Sequence, residues 1–427
     1  MSDACRRVAL VNLGCRVNRV ELDAMALELQ SRGCVLAGER DADVVVVNTC
    51  AVTGEAQAKT RKAVRHAANQ HNRPVVVATG CVASLFADEL TQICEQVVVE
   101  ADKRLVADRV MEALEGKGSS SSEREPHDAS LTRTTPTGRT RPGIKVQDGC
   151  DNRCTFCIVW KARGASRSVG ELQVLDEVRA AQRRGAREVV LTGINLGNYR
   201  MGGSGGAQGD LPDLLRFLLQ ETDVERIRLS SIEPPDVTER LVATMADAGE
   251  RVAPFLHVCL QSGCDKTLRE MGRVYDTAQY ARMVAMAREA LPDLSLGTDL
   301  IVGFPGETDD DFERTLAFCE RMAFSRMHVF RYSRRPGTPA AARVDQTPPA
   351  VTAARSERML ALAARMRLEQ AQRRVGTEEL VVVQYPDGRG VTGGLFDALV
   401  GEGHPLDSLV RATVRGVLPD GTLDARS

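Results

Sequence analysis

Three cysteines stand in one short stretch, Cys150-Asp-Asn-Arg-Cys154-Thr-Phe-Cys157. In a chain with twelve cysteines among 427 residues, chance alone would give a CxxxCxxC spacing about 0.01 times. Thiolates ligate zinc or iron, and a structural zinc site wants four ligands. No fourth Cys or His lies nearby in sequence. Three thiolates on one loop can instead hold three irons of a four-iron cluster and leave the fourth iron open to a substrate. The spacing favours the cluster. A second set is spread along the chain. Cys15, Cys50 and Cys81 each follow an apolar run: VALVNLGC, VVVVNTC and VVVATGC. Ligands of an open parallel sheet bind outside the carboxyl ends of its strands, so three strand-end cysteines would converge into another three-thiolate site. Gly14, Thr49 and Gly80 precede them and would let backbone approach a bulky cluster. Free cysteines are commonly buried as small hydrophobes, but recurrence at one structural position in three units argues against that here. Cys5, Cys34, Cys94 and Cys319 have no partner at ligand spacing and take the hydrophobe reading. Cys259 and Cys264 flank Gln261 near a strand end, where they could line a barrel mouth. His257 and His328 fall within strand patterns and read as satisfied core or pocket histidines.

The elements that must position these residues follow from apolar periodicity. Val8–Leu13, Val44–Val47 and Val75–Ala78 have the continuous Val-rich character of buried parallel strands. Val97–Val99 supplies a fourth, and helical patterns alternate with them over Glu21–Arg32, Ala56–Asn69, Ala83–Ile93 and Arg104–Leu114. Residues 1–115 therefore read as a doubly wound α/β domain. Residues 116–142, rich in Ser, Thr, Pro, Gly and charge, read as a flexible linker. From 143 to 369 the alternation resumes, with strands at Glu188–Thr192, Arg226–Ser231, Phe255–Gln261, Leu294–Val302 and Met327–Tyr332. That is the pattern of a complete or partial (β/α) barrel. Gly202–Gly209 reads as a flexible insertion, because no Gly-Lys-Ser/Thr follows to make a phosphate cradle. A long helix over Val351–Val375 closes the barrel and carries Arg355, Arg358, Arg365, Arg367, Arg373 and Arg374 at positions read as exposed. Residues 370–427 shift to short strands between Gly-rich turns, a small all-β domain.

Composition limits the function classes. Fifty-six basic and 58 acidic side chains nearly cancel, so nucleic acid would have to be met by local patches. No apolar run approaches the roughly 20 residues of a membrane span. The opening RRVALVNLGC is too short and too interrupted for a signal peptide. The chain reads as cytoplasmic with no membrane partner. In that compartment disulfides rarely persist, and metal or redox chemistry is the leading use for so many cysteines.

At these residues the chain resembles a known family. The CxxxCxFC loop is similar to that of the radical S-adenosylmethionine (SAM) superfamily, and the strand-end cysteines resemble those of the methylthiotransferases within it. NLGCRVN, NTCAVT, ATGC, QDGCDNRCTFC, ARG, LSSIEP, LQSG and GFPGET agree in order along nearly the whole chain. LTGINLGNY at Leu191–Tyr199 resembles the MtaB-type tRNA branch, and the tail from about Gln370 is similar to a short TRAM domain, an RNA-binding barrel.

The resemblance implies two 4Fe–4S clusters. Cys150, Cys154 and Cys157 would hold the one whose open iron chelates SAM, which is then reduced and cleaved to a 5′-deoxyadenosyl radical. Phe156 would lie beside the cofactor adenine, and Gly193, Ser230, Glu233, Gln261 and Gly303 would line the cofactor pocket. The cluster on Cys15, Cys50 and Cys81 would carry the inserted sulfur, methylated by a second SAM. The implied substrate is N6-threonylcarbamoyladenosine beside the anticodon, modified at C2 in a tRNA anticodon stem-loop. An electron donor and a sulfur source are also implied, neither identified by these residues. Alternatives are isopentenyladenosine in tRNA, a ribosomal-protein aspartate, a non-catalytic iron–sulfur sensor, and a cobalamin-dependent radical enzyme. The strand-end cysteines argue against the last.

Phosphate contacts are expected from Arg153, Lys161, Arg163 and Arg167, and from Arg326, Arg331, Arg334 and Arg335. The chain departs from the family pattern in IVWKARG, where IIPYARG is usual, and at Cys259 and Cys264, in place of the proline and serine of PLQSGS. Residues 376–427 hold four arginines against eight acidic residues, a poor composition for gripping phosphate. The Arg-rich helix before them is the better candidate.

Overall fold

The computed structural model describes residues 6–51, 54–116, 135–136, 138–202 and 209–426. Most of the linker expected at 116–142, and most of the insertion expected at Gly202–Gly209, lie outside them. The chain divides into two compact units. The first is the N-terminal domain together with Cys157–Ala165; the second comprises Arg139–Phe156 and the chain from Ser166 onward.

The first unit is built on a five-stranded parallel sheet. Its spatial order is Cys34–Leu36, Arg6–Asn12, Val44–Thr49, Val75–Gly80, Val97–Val99. Alternate valines serve opposite faces. Val44 and Val46 pack with Leu22, Met25 and Leu29 of the helix Arg16–Ser31 and with Val106 and Val110 of Val106–Gly116. Val45 and Val47 pack with Val64 and Ala67 of Gly54–Ala68. Both faces are covered, so the strands read as unbroken apolar runs. The edge strand Cys34–Leu36, with no run of β-branched residues to mark it, escaped the sequence reading. The single helix expected at Ala83–Ile93 is two short ones, Cys81–Leu85 and Ala87–Thr91.

The second unit contains a parallel partial barrel. Gly143–Lys145, Glu188–Thr192 and Arg226–Leu229 form one sheet. Ser231–Ile232, Phe255–Val258, Ser295–Val302 and Arg326–Arg331 form the other. The interruption at Ser230 splits what the sequence suggests is one strand. Leu256, Val258, Leu296, Leu300 and Val302 join the core shared with the helices. The alternate positions Phe255, His257, Asp299 and His328 therefore face the lumen.

The C-terminal segment is a six-stranded, mostly antiparallel sheet, running Leu409–Thr413, Glu378–Val383, Arg389–Thr392, Asp397–Leu399, Leu423–Asp424, Gly416–Val417. It belongs to the same unit as the barrel. Glu188, Arg226 and Arg228, on the opening turns of their barrel strands, are buried together. Arg226 Nε lies 2.5 Å and Arg228 Nε 2.7 Å from the Glu188 carboxylate. The two guanidiniums then donate to the backbone carbonyls of Leu380, Thr392 and Gly393. Phe255 packs beside them with Val382, Val391 and Leu395. The end of the expected linker is anchored in the same unit: Arg141 is 3.5 Å from Glu188, and Gln384 Nε2 donates to Thr140 Oγ1 at 2.9 Å.

The closing helix runs Pro349–Gln372; the expectation of exposed arginines holds for Arg358, Arg365 and Arg373 and fails for Arg355. Arg355 is buried, paired with Glu307 and Asp309 at 2.8 and 2.7 Å. Arg358 pairs with Glu313, Arg365 with Glu320 and Arg367 with Asp397. Their charges are largely met within the molecule. No helix among the described residues is long and apolar enough to cross a membrane.

Candidate functional site

Register fixes the first cysteine set. Asn12 pairs with Asn48, Asn48 with Thr79, and Thr49 with Gly80, so three adjacent strands end at one level. Cys50 and Cys81, both buried, follow their strand ends directly, and Cys15, exposed, follows three residues after Asn12. Thr49 Oγ1 accepts from the backbone N–H groups of Val82 and Ala83, which pins the turn after Cys81. Two glycines are required by close approach. A Cβ on Gly14 would stand 2.0 Å from Asn18 Nδ2; one on Gly80, whose φ is +93°, would stand 2.5 Å from the Thr49 carbonyl oxygen.

Behind this edge lies a buried polar group that the sequence reading did not assemble. Asn18 donates to the Thr49 carbonyl at 2.8 Å and its own carbonyl accepts from Asn48. Glu21, also buried, receives Arg163 at 2.7 Å and Lys103. Burial lowers the Lys103 pKa, an effect partly offset by Glu21 and Cys81. A cation that interacts with Cys81 favours the thiolate form of that cysteine. Arg163 is thereby spent inside the unit and does not serve as the phosphate contact expected of it. Arg335 is likewise buried, whereas Arg153, Lys161, Arg167, Arg331 and Arg334 are exposed.

The second set begins on a loop held by Gln147, which is fully buried. Its amide donates to the carbonyls of Asp148 and Gly149 and to Ser166 Oγ, and its oxygen accepts from the Asn195 backbone at 2.8 Å. A Cβ on Gly193 would stand 2.9 Å from the Gln147 side chain, so LTG and QDG are fitted to each other. Cys154 is buried, and the Arg273 guanidinium donates to its sulfur at 3.0 Å while also pairing with Glu233. Arg273 was missed by sequence reasoning, since an arginine 119 residues from Cys154 carries no local signal. Cys150 is half-buried, and burial pushes its thiol up. Cys157 Sγ accepts from the Val159 N–H at 3.4 Å.

The remaining expected pocket residues fall within the second unit. Phe156 packs with Met271, Ile301 and Phe304. Gln261 adopts φ +66°, a costly conformation for a residue with a Cβ. It is locked there between the Asp299 carbonyl and the Ile301 N–H, each at 2.9 Å. Ser230 Oγ is buried without a hydrogen-bond partner, as a group awaiting a ligand would be. Gly303 has φ +74° and donates to Glu307 Oε2 at 2.7 Å. Cys259 and Cys264 are buried, near the carboxylates of Asp299 and Asp311.

Cysteines at the edge of a parallel sheet, and a cysteine loop on a parallel partial barrel, are the arrangement expected of a radical SAM enzyme. Comparison with known proteins agrees. Residues 144–319 match the Radical SAM superfamily, and residues 7–100 match "Uncharacterized protein family UPF0004". The chain is 34% identical to threonylcarbamoyladenosine tRNA methylthiotransferase MtaB of Thermotoga maritima, over 99% of this chain and 97% of that one. It is 35% identical to the MtaB of Bacillus subtilis, over 85% and 82%. The ribosomal protein uS12 methylthiotransferase RimO of Desulforudis audaxviator is 33% identical over 97% and 95%. Among solved structures, the radical SAM methyltransferase TsrM of Kitasatospora setae shares the fold, with TM-score 0.54 and 18% identity over 79% of this chain and 77% of that one. The chain belongs to the radical SAM methylthiotransferase family, and within it to the MtaB type.

Proposed function

We propose that this enzyme inserts a methylthio group at C2 of N6-threonylcarbamoyladenosine, next to the anticodon of tRNA, using one SAM as methyl donor and another as radical source. The observation that carries the reading is identity to MtaB relatives over essentially the full length. A base in a tRNA loop can be splayed into such a site at modest cost.

In this reading Cys150, Cys154 and Cys157 hold one 4Fe–4S cluster, and Cys15, Cys50 and Cys81 hold a second. When bound, the clusters supply an open iron for SAM, the electron that cleaves it, and the sulfur to be inserted. The chain's own residues do the rest. Arg273 neutralises thiolate charge at Cys154 and fixes Glu233 at the pocket wall. Gln147 holds the loop into Cys150, so the ligand sulfur needs little reorganisation. Phe156 would lie beside the cofactor adenine, and the backbone at Gly193, Gln261 and Gly303 with the hydroxyl of Ser230 would supply polar contacts. Lys103 and Arg163 counter the charge at the other cysteine set.

Nucleoside mass spectrometry of total tRNA from a host lacking the gene, before and after complementation, tests the substrate. Loss of 2-methylthio-N6-threonylcarbamoyladenosine, a rise in its precursor and recovery on complementation are expected. The RimO relative, and the tRNA-2-methylthio-N(6)-dimethylallyladenosine synthase of Erythrobacter litoralis at 32% identity, give the second reading. It would be established by loss of a different methylthio nucleoside, or by no nucleoside change and an unmodified ribosomal protein.

A further inference from the structure

Below the expected SAM pocket, the lumen carries a polar group that none of the roles above uses. His257, Asp299 and His328 come from three consecutive strands. His257 is in register with Gly297, and Asp299 with His328, so all three side chains point into the lumen at neighbouring levels. His257 Nε2 lies 3.0 Å and His328 Nδ1 3.2 Å from Asp299 Oδ1, and the two rings are 5.4 Å apart. All three donor atoms lie within 4.8 Å of one another, the one such group of metal-ligand type found among the described residues.

The contacts are short but not aligned as hydrogen bonds. Asp299 Oδ1 is buried and has no hydrogen-bond donor directed at it, although two imidazole nitrogens stand beside it. Three donor atoms this close together are a set that one bound ion could share. Gly297 lets His257 and Phe255 lie close against its strand: a Cβ there would stand 2.9 Å from His257 Nδ1 and 2.7 Å from Phe255 Cζ. His257 is buried, while the side chains of Asp299 and His328 are 25% and 42% exposed.

We propose that His257, Asp299 and His328 form a binding site for a divalent first-row transition ion, with open coordination positions toward the lumen. Two imidazoles and one carboxylate suit zinc and its neighbours better than magnesium or calcium, and three protein ligands leave a position for an exchangeable group. The proposal does not depend on the methylthiotransferase reading.

The test uses the full-length enzyme with its iron–sulfur clusters in place, titrated anaerobically with zinc against a chromophoric chelator. Wild type should take up one equivalent that Asp299→Asn and His328→Ala bind at least about 100-fold more weakly, since even outer-shell partners of a metal account for 10- to 100-fold. Asp299→Asn keeps the side-chain shape, and His328 lies on a partly exposed strand, so one of the two should remain folded by circular dichroism. The zinc K-edge spectrum of the one-equivalent sample should show nitrogen and oxygen at about 2.0–2.1 Å with imidazole scattering. Equal uptake by wild type and a folded variant would overturn the site. A sulfur shell at about 2.3 Å would also overturn it, by placing the ion on cysteines.

Discussion

Cys50 and Cys81 are buried at the ends of neighbouring strands, while Cys154 is buried against a guanidinium. The two sets have separable duties in the proposed function, and single substitutions should separate them. Cys150→Ala is expected to abolish formation of 5′-deoxyadenosine from SAM, read by chromatography and mass spectrometry. Cys50→Ala should still cleave SAM yet add no sulfur to tRNA. Methylthiolation by Cys50→Ala enzyme would remove the donor role of that set. Gly80 gives a purely steric prediction. Its φ of +93° and the Thr49 carbonyl 2.5 Å from any Cβ should make Gly80→Ala cost about 1–3 kcal/mol or more. A lowered thermal midpoint, with iron lost from the N-terminal unit, is the expected result.

The strand starts at Glu188, Arg226 and Arg228 act together, at the level of elements. Burial alone would raise the Glu188 pKa, but Arg226, Arg228 and Arg141 hold it well below the usual carboxylate range. Glu188→Gln leaves two buried guanidiniums short of charge and should cost about 3–5 kcal/mol in urea unfolding. The sign of the pH dependence follows from the depressed value. The ionised carboxylate stabilises the fold fully above the unfolded glutamate pKa, near 4.3. That stabilisation is lost as pH falls through the lower folded value. Wild-type unfolding free energy should therefore drop more steeply below about pH 4 than that of Glu188→Gln. Parallel curves would show that the carboxylate is not the group being titrated.

For the whole molecule, the C-terminal sheet is part of the barrel's unit, held through Phe255 and the carbonyls that receive Arg226 and Arg228. Truncation at residue 369 should expose that floor and yield aggregated or strongly destabilised protein, as judged by size-exclusion chromatography. A stable, soluble truncated chain would show that the tail is an independent appendage. The arginines of the closing helix make the opposite kind of prediction. Arg358 and Arg365 are paired with Glu313 and Glu320, so replacing both with alanine should leave tRNA affinity within about twofold and the salt slope unchanged. Arg153 and Lys161, exposed beside the cysteine loop, are the better phosphate contacts, and removing either should reduce the slope by about one.

Much of this was legible in the sequence where the information is local. A Val-rich run followed by cysteine specifies both a buried strand and a residue at its carboxyl end. CxxxCxxC sets three cysteines on one short stretch by covalent spacing alone. The doubly wound sheet, the barrel strands and the β tail follow from period and turn chemistry, as does the acidic balance of residues 376–427. Contacts that close over long sequence separation were decided only by tertiary structure. Arg273 at Cys154, Arg163 at Glu21 and Arg228 at the Thr392 and Gly393 carbonyls have no local signature. For that reason arginines that look available for phosphate in sequence could turn out buried or paired. His257 and His328 illustrate the same limit. Each is an ordinary strand histidine in sequence, and only the register of three strands sets both beside one carboxylate. Spacing along a chain fixes which side chains share a loop or a face, whereas folding fixes which charges meet.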